Sequence, residues 1–445
     1  MIRTLWFLLK VAVLVAAAVW VASHPGQVFI SWQGYEITMS LGVLALIVLV
    51  LSGVAMLAFT MWRALVSVPR SLSLGHLSRR QRKGYLALTQ GMVAVAAGDA
   101  VAAQRLAGKA HKLLKEPGLT LLLQAQAAQL SGDDAGAARY FSTMLERPEM
   151  SFLGLRGLIM SALRKGQINE ALSLGYRALK LQPKAGWLLA LLSEMEARAG
   201  NWSKAQDHLA KALKQSAVAA DRAASLRVTY WLGQAAAEEK AGNLSAALAM
   251  AERAHNQMPG FVPAALAVAK LQLSGKHHKK AMRVLERCWQ LSPHPQLSDF
   301  YLQTVSAEPG KTVLPLELVR HLEKLTTQKP ASEVGKVALA QAAVQAELWG
   351  LARGCIGTLL ESDSPSEAVC LLMADLEEKD NKDHKAAQSW RLRAVQAPAS
   401  PQWTCQSCHV SSPDWAPICA SCGSVGSQLW QSYADKISFL PPVSA

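Results

Sequence analysis

Four cysteines near the C-terminus, Cys405, Cys408, Cys419 and Cys422, stand in the pattern C-x2-C-x10-C-x2-C. Each C-x-x-C turn can present two sulfurs to one ion, and four thiolates complete a tetrahedral shell. Zinc and iron both accept that donor set; Zn2+ is the first expectation and Fe stays open. The same residues could form a redox-active dithiol or disulfides, so the redox state of their compartment decides their chemistry. With all four ligands from the protein, no position remains for a substrate, which argues against a hydrolytic metal. Gly423 follows the second pair, where a glycine lets backbone N–H groups turn toward the sulfurs; His409 holds the equivalent place after Cys408 and departs from that pattern. Four cysteines are already present, so His409 is not taken as a ligand. Trp403, Trp415 and Trp430 recur around the pairs and are expected to form a small core and a docking face.

Other candidate chemistry is sparse. Cys288, Cys355 and Cys370 fall within helical pattern and read as small buried residues. His277 and His278 lie in GKHHKK, a basic inter-helix turn; solvation is the plain reading, and contact with a haem, a metal or an acidic partner the sharper one. Phosphate-loop, dinucleotide, H-E-x-x-H and G-x-S-x-G patterns are absent. No catalytic residue is assigned, and no enzyme is expected.

The compartment follows from the other end of the chain. Residues 37–62 carry no charge, and LGVLALIVLVLSGVAMLAFTMW is long enough to cross about 30 Å of hydrocarbon as a helix. An earlier apolar segment, Leu5–Ser23, contains Lys10 near its start, where it could snorkel to the headgroups. A cleaved signal peptide is the alternative for that segment. The connecting loop HPGQVFISWQGYEIT has no Lys or Arg and offers Trp32 and Tyr35 as interfacial anchors. Arg63, Arg70 and RRQRK at 79–83 follow the second segment. The first 83 residues hold eight basic residues and one acid, so half of the chain's formal +14 lies there. Basic residues hugging an apolar segment point to a membrane rather than to nucleic acid. The positive-inside bias places the loop outside and the remainder, thiols included, in the reducing cytosol.

Between anchor and cysteines the chain repeats. Gly98, Gly132, Gly166 and Gly200 are 34 residues apart, and Ala103, Ala137, Ala171 and Ala205 each lie five residues later. Gly242 and Ala247 continue the pattern after about eight inserted residues near SAVAADRA. Pro183 and Pro259 close two units, and a further unit begins at Gly275 with Ala281 and Pro293 one residue late. Gly350 with Cys355, and KDNKDHKAAQSW at 379–390, suggest two degenerate units, with a less regular helical pair over 307–325. These are the marks of tetratricopeptide repeats, in which glycine turns the chain, alanine lets two helices approach, and stacked units bury what one cannot. The expected fold is all-α: two N-terminal transmembrane helices, a tetratricopeptide α-solenoid, and a four-cysteine ribbon as its compact end piece. The expected divisions are 1–62 anchor, 63–83 basic linker, 84–398 solenoid and 399–445 ribbon. The first helices of the repeats place Arg156, Arg164, Glu194, Arg198, Glu239 and Lys240 as candidate protein-binding residues in the groove.

HPGQVFISWQGYEITMSLGVLALIVLV, the RRQRK cluster and the first repeats around LAGKA resemble the HemY-type inner-membrane proteins of Gram-negative bacteria over most of residues 1–300. That resemblance implies a multi-pass inner-membrane protein with its bulk in the cytoplasm. It also implies a non-enzymatic scaffold role in late protohaem synthesis, with haem-pathway enzymes as partners. A flavoenzyme of haem synthesis shares the name, but its glycine fingerprint is missing here. The cysteine module resembles a zinc ribbon or small rubredoxin. It is also similar to the tail of the membrane-anchored repeat protein of lipopolysaccharide assembly, which implies, as an alternative, an adaptor in regulated proteolysis. Electron transfer through a four-cysteine iron centre is the third reading.

Overall fold

The structure, a computed structural model, describes residues 2–431 apart from 24–25, 33, 115–116, 308–313 and 361–364. The side chains of Trp32, Tyr35 and residues 64–78 are likewise outside the description, so the interfacial role expected of the two aromatics, and the place of Arg70, lie beyond the described residues. The chain divides into two compact units, residues 1–137 and 138–445.

The first unit opens with helix α1 (Ile2–Ser23) and a hairpin of β1 (Gln27–Trp32) and β2 (Tyr35–Ser40), paired antiparallel from Gln27–Ser40 to Trp32–Tyr35. The segment expected as a plain loop is thus a two-residue-turn hairpin, with Gly34 at φ +90°, a conformation glycine adopts without a Cβ penalty. Helix α2 (Leu41–Ala96) then runs 56 residues without a break, about 84 Å at 1.5 Å per residue. Its first part, Leu41–Arg63, is long and apolar enough to cross a membrane, and it is the one such helix found among the described residues. Crossing by two helices is therefore not established. None of that segment is buried in the protein: Leu49, Met56 and Phe59 are all more than 60% exposed, an apolar surface suited to lipid. Its other end is ordinary globular helix. Ala87 and Leu88 pack with Ala103, Ala107 and Ala110 of α3 (Ala100–Leu113) and with Leu123 and Ala127 of α4 (Pro117–Leu130). Gly91 permits that approach, since a Cβ there would lie 2.6 Å from Leu123. From the basic cluster, the Arg80 guanidinium donates to the Lys112 carbonyl at 2.8 Å, satisfying an acceptor at the end of α3. Helix α5 (Asp134–Met144) contains the division between the units.

The second unit is built from helix pairs: α6 (Pro148–Arg164) with α7 (Ile168–Leu181), α8 (Gly186–Arg198) with α9 (Trp202–Lys214), α10 (Ala220–Lys240) with α11 (Leu244–Gln257), and α12 (Val262–Ser274) with α13 (His278–Leu291). Next come α14 (Pro295–Ser306) and α15 (Pro315–Thr326); of the helical pair expected over 307–325, only α15 lies there among the described residues, and α14 precedes it. Then follow α16 (Glu333–Gln345) with α17 (Trp349–Leu360), and α18 (Glu367–Lys379) with α19 (His384–Gln396). Short strands β3 (Gln402–Cys405), β4 (Ser411–Ser412) and β5 (Gln428–Gln431) form an antiparallel sheet in the order β4-β3-β5.

The repeat register is a backbone conformation more than a residue type. Gly98, Gly132, Gly166, Gly200 and Gly242 turn between helices at φ between +72° and +81°. In the next unit that conformation belongs not to Gly275 but to Lys276, at φ +61°. Counted from Lys276, Ala281 and Pro293 are no longer late. The same shift corrects the two degenerate units: Glu347 (φ +55°) replaces Gly350, and Lys382 (φ +53°) turns the last pair. Five residues beyond these stand Ala352 and Ala387; with Ala103, Ala137, Ala171, Ala205, Ala247 and Ala281 they are all fully buried. No larger side chain fits where the paired helices touch. The insertion near SAVAADRA has a definite product, since α10 has 21 residues against 13 in α8.

Candidate metal centre

Two similar knuckles bring the four cysteines together. At the end of β3, the His409 N–H donates to the Cys405 carbonyl and the Cys405 N–H to the Val410 carbonyl. In the second knuckle the Gly423 N–H donates to the Cys419 carbonyl and the Cys419 N–H to the Ser424 carbonyl. His409 and Gly423 sit at φ +58° and +69°, so the histidine adopts the conformation its glycine counterpart reaches without strain. The sulfurs of Cys405 and Cys422 are 3.7 Å apart, as are those of Cys408 and Cys419, and all four lie within 4.8 Å of one another. A tetrahedral ion with 2.3 Å metal–sulfur bonds needs sulfur–sulfur edges of about 3.8 Å. The donor set therefore fits one four-coordinate ion, without deciding between zinc and iron.

Burial raises a thiol's pKa, but at Cys405 hydrogen bonds from Ser427, Cys408 and Ser407 outweigh it and bring the group down to about 6. Cys405 and Cys419 are buried whereas Cys422 is exposed, so the site has one open edge. Cys288 contrasts with these, its thiol pushed up to about 12 by burial among apolar neighbours. Cys370 is also buried, while Cys355 is only partly so. His277 and His278 stand at the start of α13, and among the described residues only the four cysteines form a cluster able to hold an ion.

The ribbon does not stack on the last helix pair as an end piece. It folds back onto the first helices of the middle repeats. Arg222 on α10 donates to the carbonyls of Gly426 and Val425 at 3.0 and 3.1 Å. Val425 and Ile418 join the core of Ala197, Leu226 and Tyr230. Gly426 lies so close that a Cβ would be 2.9 Å from the Thr229 hydroxyl. On α14, Gln296 accepts from the Trp403 indole at 3.2 Å and donates to the Pro413 carbonyl and the Asp414 carboxylate at 3.1 Å. His294, 3% exposed, packs on Trp403 and Trp430 at 5.6 and 4.1 Å between ring centres. Trp415 meets Phe261 edge-on at 5.4 Å. The three tryptophans thus serve as core and docking face together.

The candidate groove residues are dispersed around this seat. Arg156 lies over the Trp187 ring at 5.0 Å, and Arg164 closes α6. Glu194 and Arg198 are half-buried on α8, with the Arg198 guanidinium about 4 Å from where a Cβ on Gly423 would be. Glu239 pairs with Lys270 at 3.0 Å and lines a cavity of about 250 Å³ shared with Asp414, Trp415 and Pro417. Lys240 is exposed at the end of α10. Arg198 and Glu239 border the ribbon. Sequence reading missed Arg222, Gln296 and His294. The eight-residue insertion was the available signal, because Arg222 and Leu226 lie in the extra turns of α10.

Several known proteins are similar to this chain. Residues 26–132 match the family model described as HemY protein N-terminus. The chain is 26% identical over 453 residues to the probable magnetosome protein Mms48 of Magnetospirillum gryphiswaldense, spanning all of this chain and 97% of that protein. It is 25% identical over 231 residues to Protein HemY of Escherichia coli K12, covering 52% of this chain and only 58% of that protein. Among solved structures, the complex of Naa15/Naa10 bound to HypK-THB aligns with a TM-score of 0.46 at 12% identity, over 72% of this chain and 54% of that one. A tetratricopeptide repeat protein from Parabacteroides merdae aligns with a TM-score of 0.32 at 17% identity, over 59% and 99%. The N-terminal part of this chain is thus similar to HemY proteins, and the helical repeats are followed by a four-cysteine module.

Proposed function

We propose that this protein is a non-enzymatic, membrane-anchored scaffold that gathers partner proteins of late protohaem synthesis at a bacterial inner membrane. One observation carries the tethered-scaffold reading: the apolar segment Leu41–Arg63 and the first repeat helix are one unbroken α2, so the repeats begin on the anchor itself. Partners held on one tethered array meet at raised effective concentration, and a poorly soluble porphyrin passed between neighbours has less chance to escape. The match to the HemY N-terminus supports the haem assignment. In this reading α1 is a second span, the β1–β2 hairpin is periplasmic, and the repeats and ribbon are cytoplasmic, held there by Arg63 and the cluster at 79–83. The ribbon holds Zn2+ as a structural ion. Partner contacts fall to Arg156, Arg164, Glu194 and Lys240, with Arg198 and Glu239 at the ribbon's margin.

Crosslinking in native membranes tests this reading: terminal haem-pathway enzymes should be recovered, and a deletion strain should accumulate haem precursors. Recovery of none, with unchanged porphyrins, would refute the haem role. A second reading rests on the full-length likeness to a probable magnetosome protein, which extends over the ribbon as the HemY match does not. Here the scaffold would serve the assembly of a membrane compartment, and the captured proteins would be membrane-organising ones. Metal analysis separates the structural ion from an electron carrier: a colourless protein containing zinc excludes the latter.

A further inference from the structure

The two cysteine knuckles would hold a charge that their own module does not balance. Four thiolates around one divalent ion make a dianion, and the ion's own charge has to enter any account of its surroundings. From Gln402 to Gln431 the ribbon contains no lysine or arginine, and Asp414 adds a further negative charge. Apart from the exposed His409, no side chain of that stretch can carry a positive one. An anion partly withdrawn from water is costly to leave uncompensated, so the balancing charge has to come from the helices on which the ribbon rests.

Two arginines of those helices meet the second half of the ribbon. Arg222 spends its Nη1 and Nη2 donors on the Gly426 and Val425 carbonyls. Arg198, in the last turn of α8, is placed differently. Its Cζ and Nη1 lie 3.9 and 4.0 Å from where a Cβ on Gly423 would be. Gly423 directly follows Cys422, and its N–H closes the second knuckle on the Cys419 carbonyl. The Arg198 Nε is enclosed and has no hydrogen-bond partner among the described residues, and none of the ion pairs found among them includes Arg198. Glu196, two residues earlier, is engaged elsewhere, accepting from Tyr176 and Asn201. A guanidinium keeps its charge at any ordinary pH. Here it is half-buried, has donors to spare, and stands against a knuckle of the thiolate cluster.

We propose that Arg198 is the counter-charge of the metal centre, a positioning residue that steadies the tetrathiolate without ligating the ion. It thereby does for the four sulfurs what residues outside a coordination shell do for other metal ligands. Because Arg198 belongs to α8, the ion it steadies also fastens the ribbon to the solenoid, so metal retention and seating of the ribbon strengthen each other. The proposal rests on the four-cysteine site holding an ion, and it gives Arg198 a partner within its own chain.

The test compares the full chain in detergent with Arg198→Met, which keeps an apolar stem and loses the charge, and with Arg198→Lys, which keeps the charge. Loaded with zinc, Arg198→Met should yield its ion to a chelator about tenfold more readily, and Arg198→Lys should recover most of that loss. Loaded with iron, the centre gains one negative charge on reduction, so a neighbouring cation favours the reduced form. Arg198→Met should therefore lower the midpoint potential, by about 59 mV for a tenfold change in a one-electron couple, and Arg198→Lys should raise it back toward that of the unaltered chain. If Arg198→Met does not fold, Arg198→Gln takes its place with the same expectations. Equal retention of zinc, an unmoved potential, or failure of Arg198→Lys to recover either would overturn the proposal while leaving the metal centre standing. An unaltered chain that holds neither ion would overturn the metal centre itself, and the role of Arg198 with it.

Discussion

The strain at His409 shows how a single residue can set the strength of the ribbon. Its backbone occupies the left-handed region at φ +58°, where a side chain costs roughly 1 kcal/mol relative to glycine. His409→Gly is therefore expected to retain metal about fivefold more tightly in chelator competition; weaker retention would mean the imidazole makes a compensating contact. Glu196 is a second residue with more than one task. Only 1% exposed, it accepts from the Tyr176 hydroxyl and, at 2.7 Å, from the Asn201 amide, linking α7, α8 and the start of α9. Glu196→Leu removes both hydrogen bonds, leaving the Tyr176 hydroxyl its contact with His208 Nε2 at 3.2 Å, and should cost about 1–3 kcal/mol in urea unfolding. A third is His294, which burial holds down at about 4, against about 6.5 for a free imidazole. Between those values the unfolded chain takes up a proton that the folded chain refuses, so stability falls as the pH falls from 6.5 toward 4. The slope approaches about 1.4 kcal/mol per pH unit. In His294→Phe that contribution should vanish and the variant's stability should fall less steeply over the window; parallel profiles for the two chains would contradict it.

Among the elements, α10 is the one whose length has a purpose outside its own repeat. Its additional turns bring Arg222 and Leu226 to the ribbon, 204 residues away in sequence at the Arg222–Gly426 contact. Replacing both, as Arg222→Ala with Leu226→Asp, should release the ribbon without dismantling it. Metal content would stay constant while proteolysis of the segment between α19 and β3 accelerates. If the ribbon stayed protected, the contacts through Gln296, His294 and Trp415 would suffice by themselves. The packing of α9 on α10 depends on a glycine for a different reason from the turns. A Cβ at Gly233 would sit 2.5 Å from the Trp202 ring, so Gly233→Val should destabilise this pair by about 1–3 kcal/mol.

At the scale of the second unit, the ribbon covers part of the face that a tetratricopeptide array offers to partners. A module this small would depend on a bound ion to fold, whereas each helix pair depends on its neighbours. Removing the metal by chelation should therefore raise amide hydrogen exchange across α10 and α14 while the helical circular dichroism stays nearly constant. Unchanged exchange would show that the ribbon holds its seat without an ion. Collapse of the helical signal would show that the ribbon staples the array itself.

Much of this architecture is local, and local features are legible in order along the chain. The 34-residue spacing, the buried alanines and the paired cysteines each reflect contacts made within one or two units, where a residue type answers directly to a turn, a close approach or a ligand bond. Where the backbone demanded a conformation and not a residue, reading by type slipped: Lys276, Glu347 and Lys382 stand in the glycine position, and Gly275 and Gly350 do not. The hairpin at 27–40 is hard to read for a related reason, since by residue type its two-residue turn is indistinguishable from a loop. Only the tertiary structure decided where the ribbon rests, because that depends on complementary surfaces from segments 107 to 204 residues apart. Neither surface has a period or motif of its own: an arginine in an inserted turn, a buried histidine and three tryptophans acquire their meaning only when folding brings them face to face.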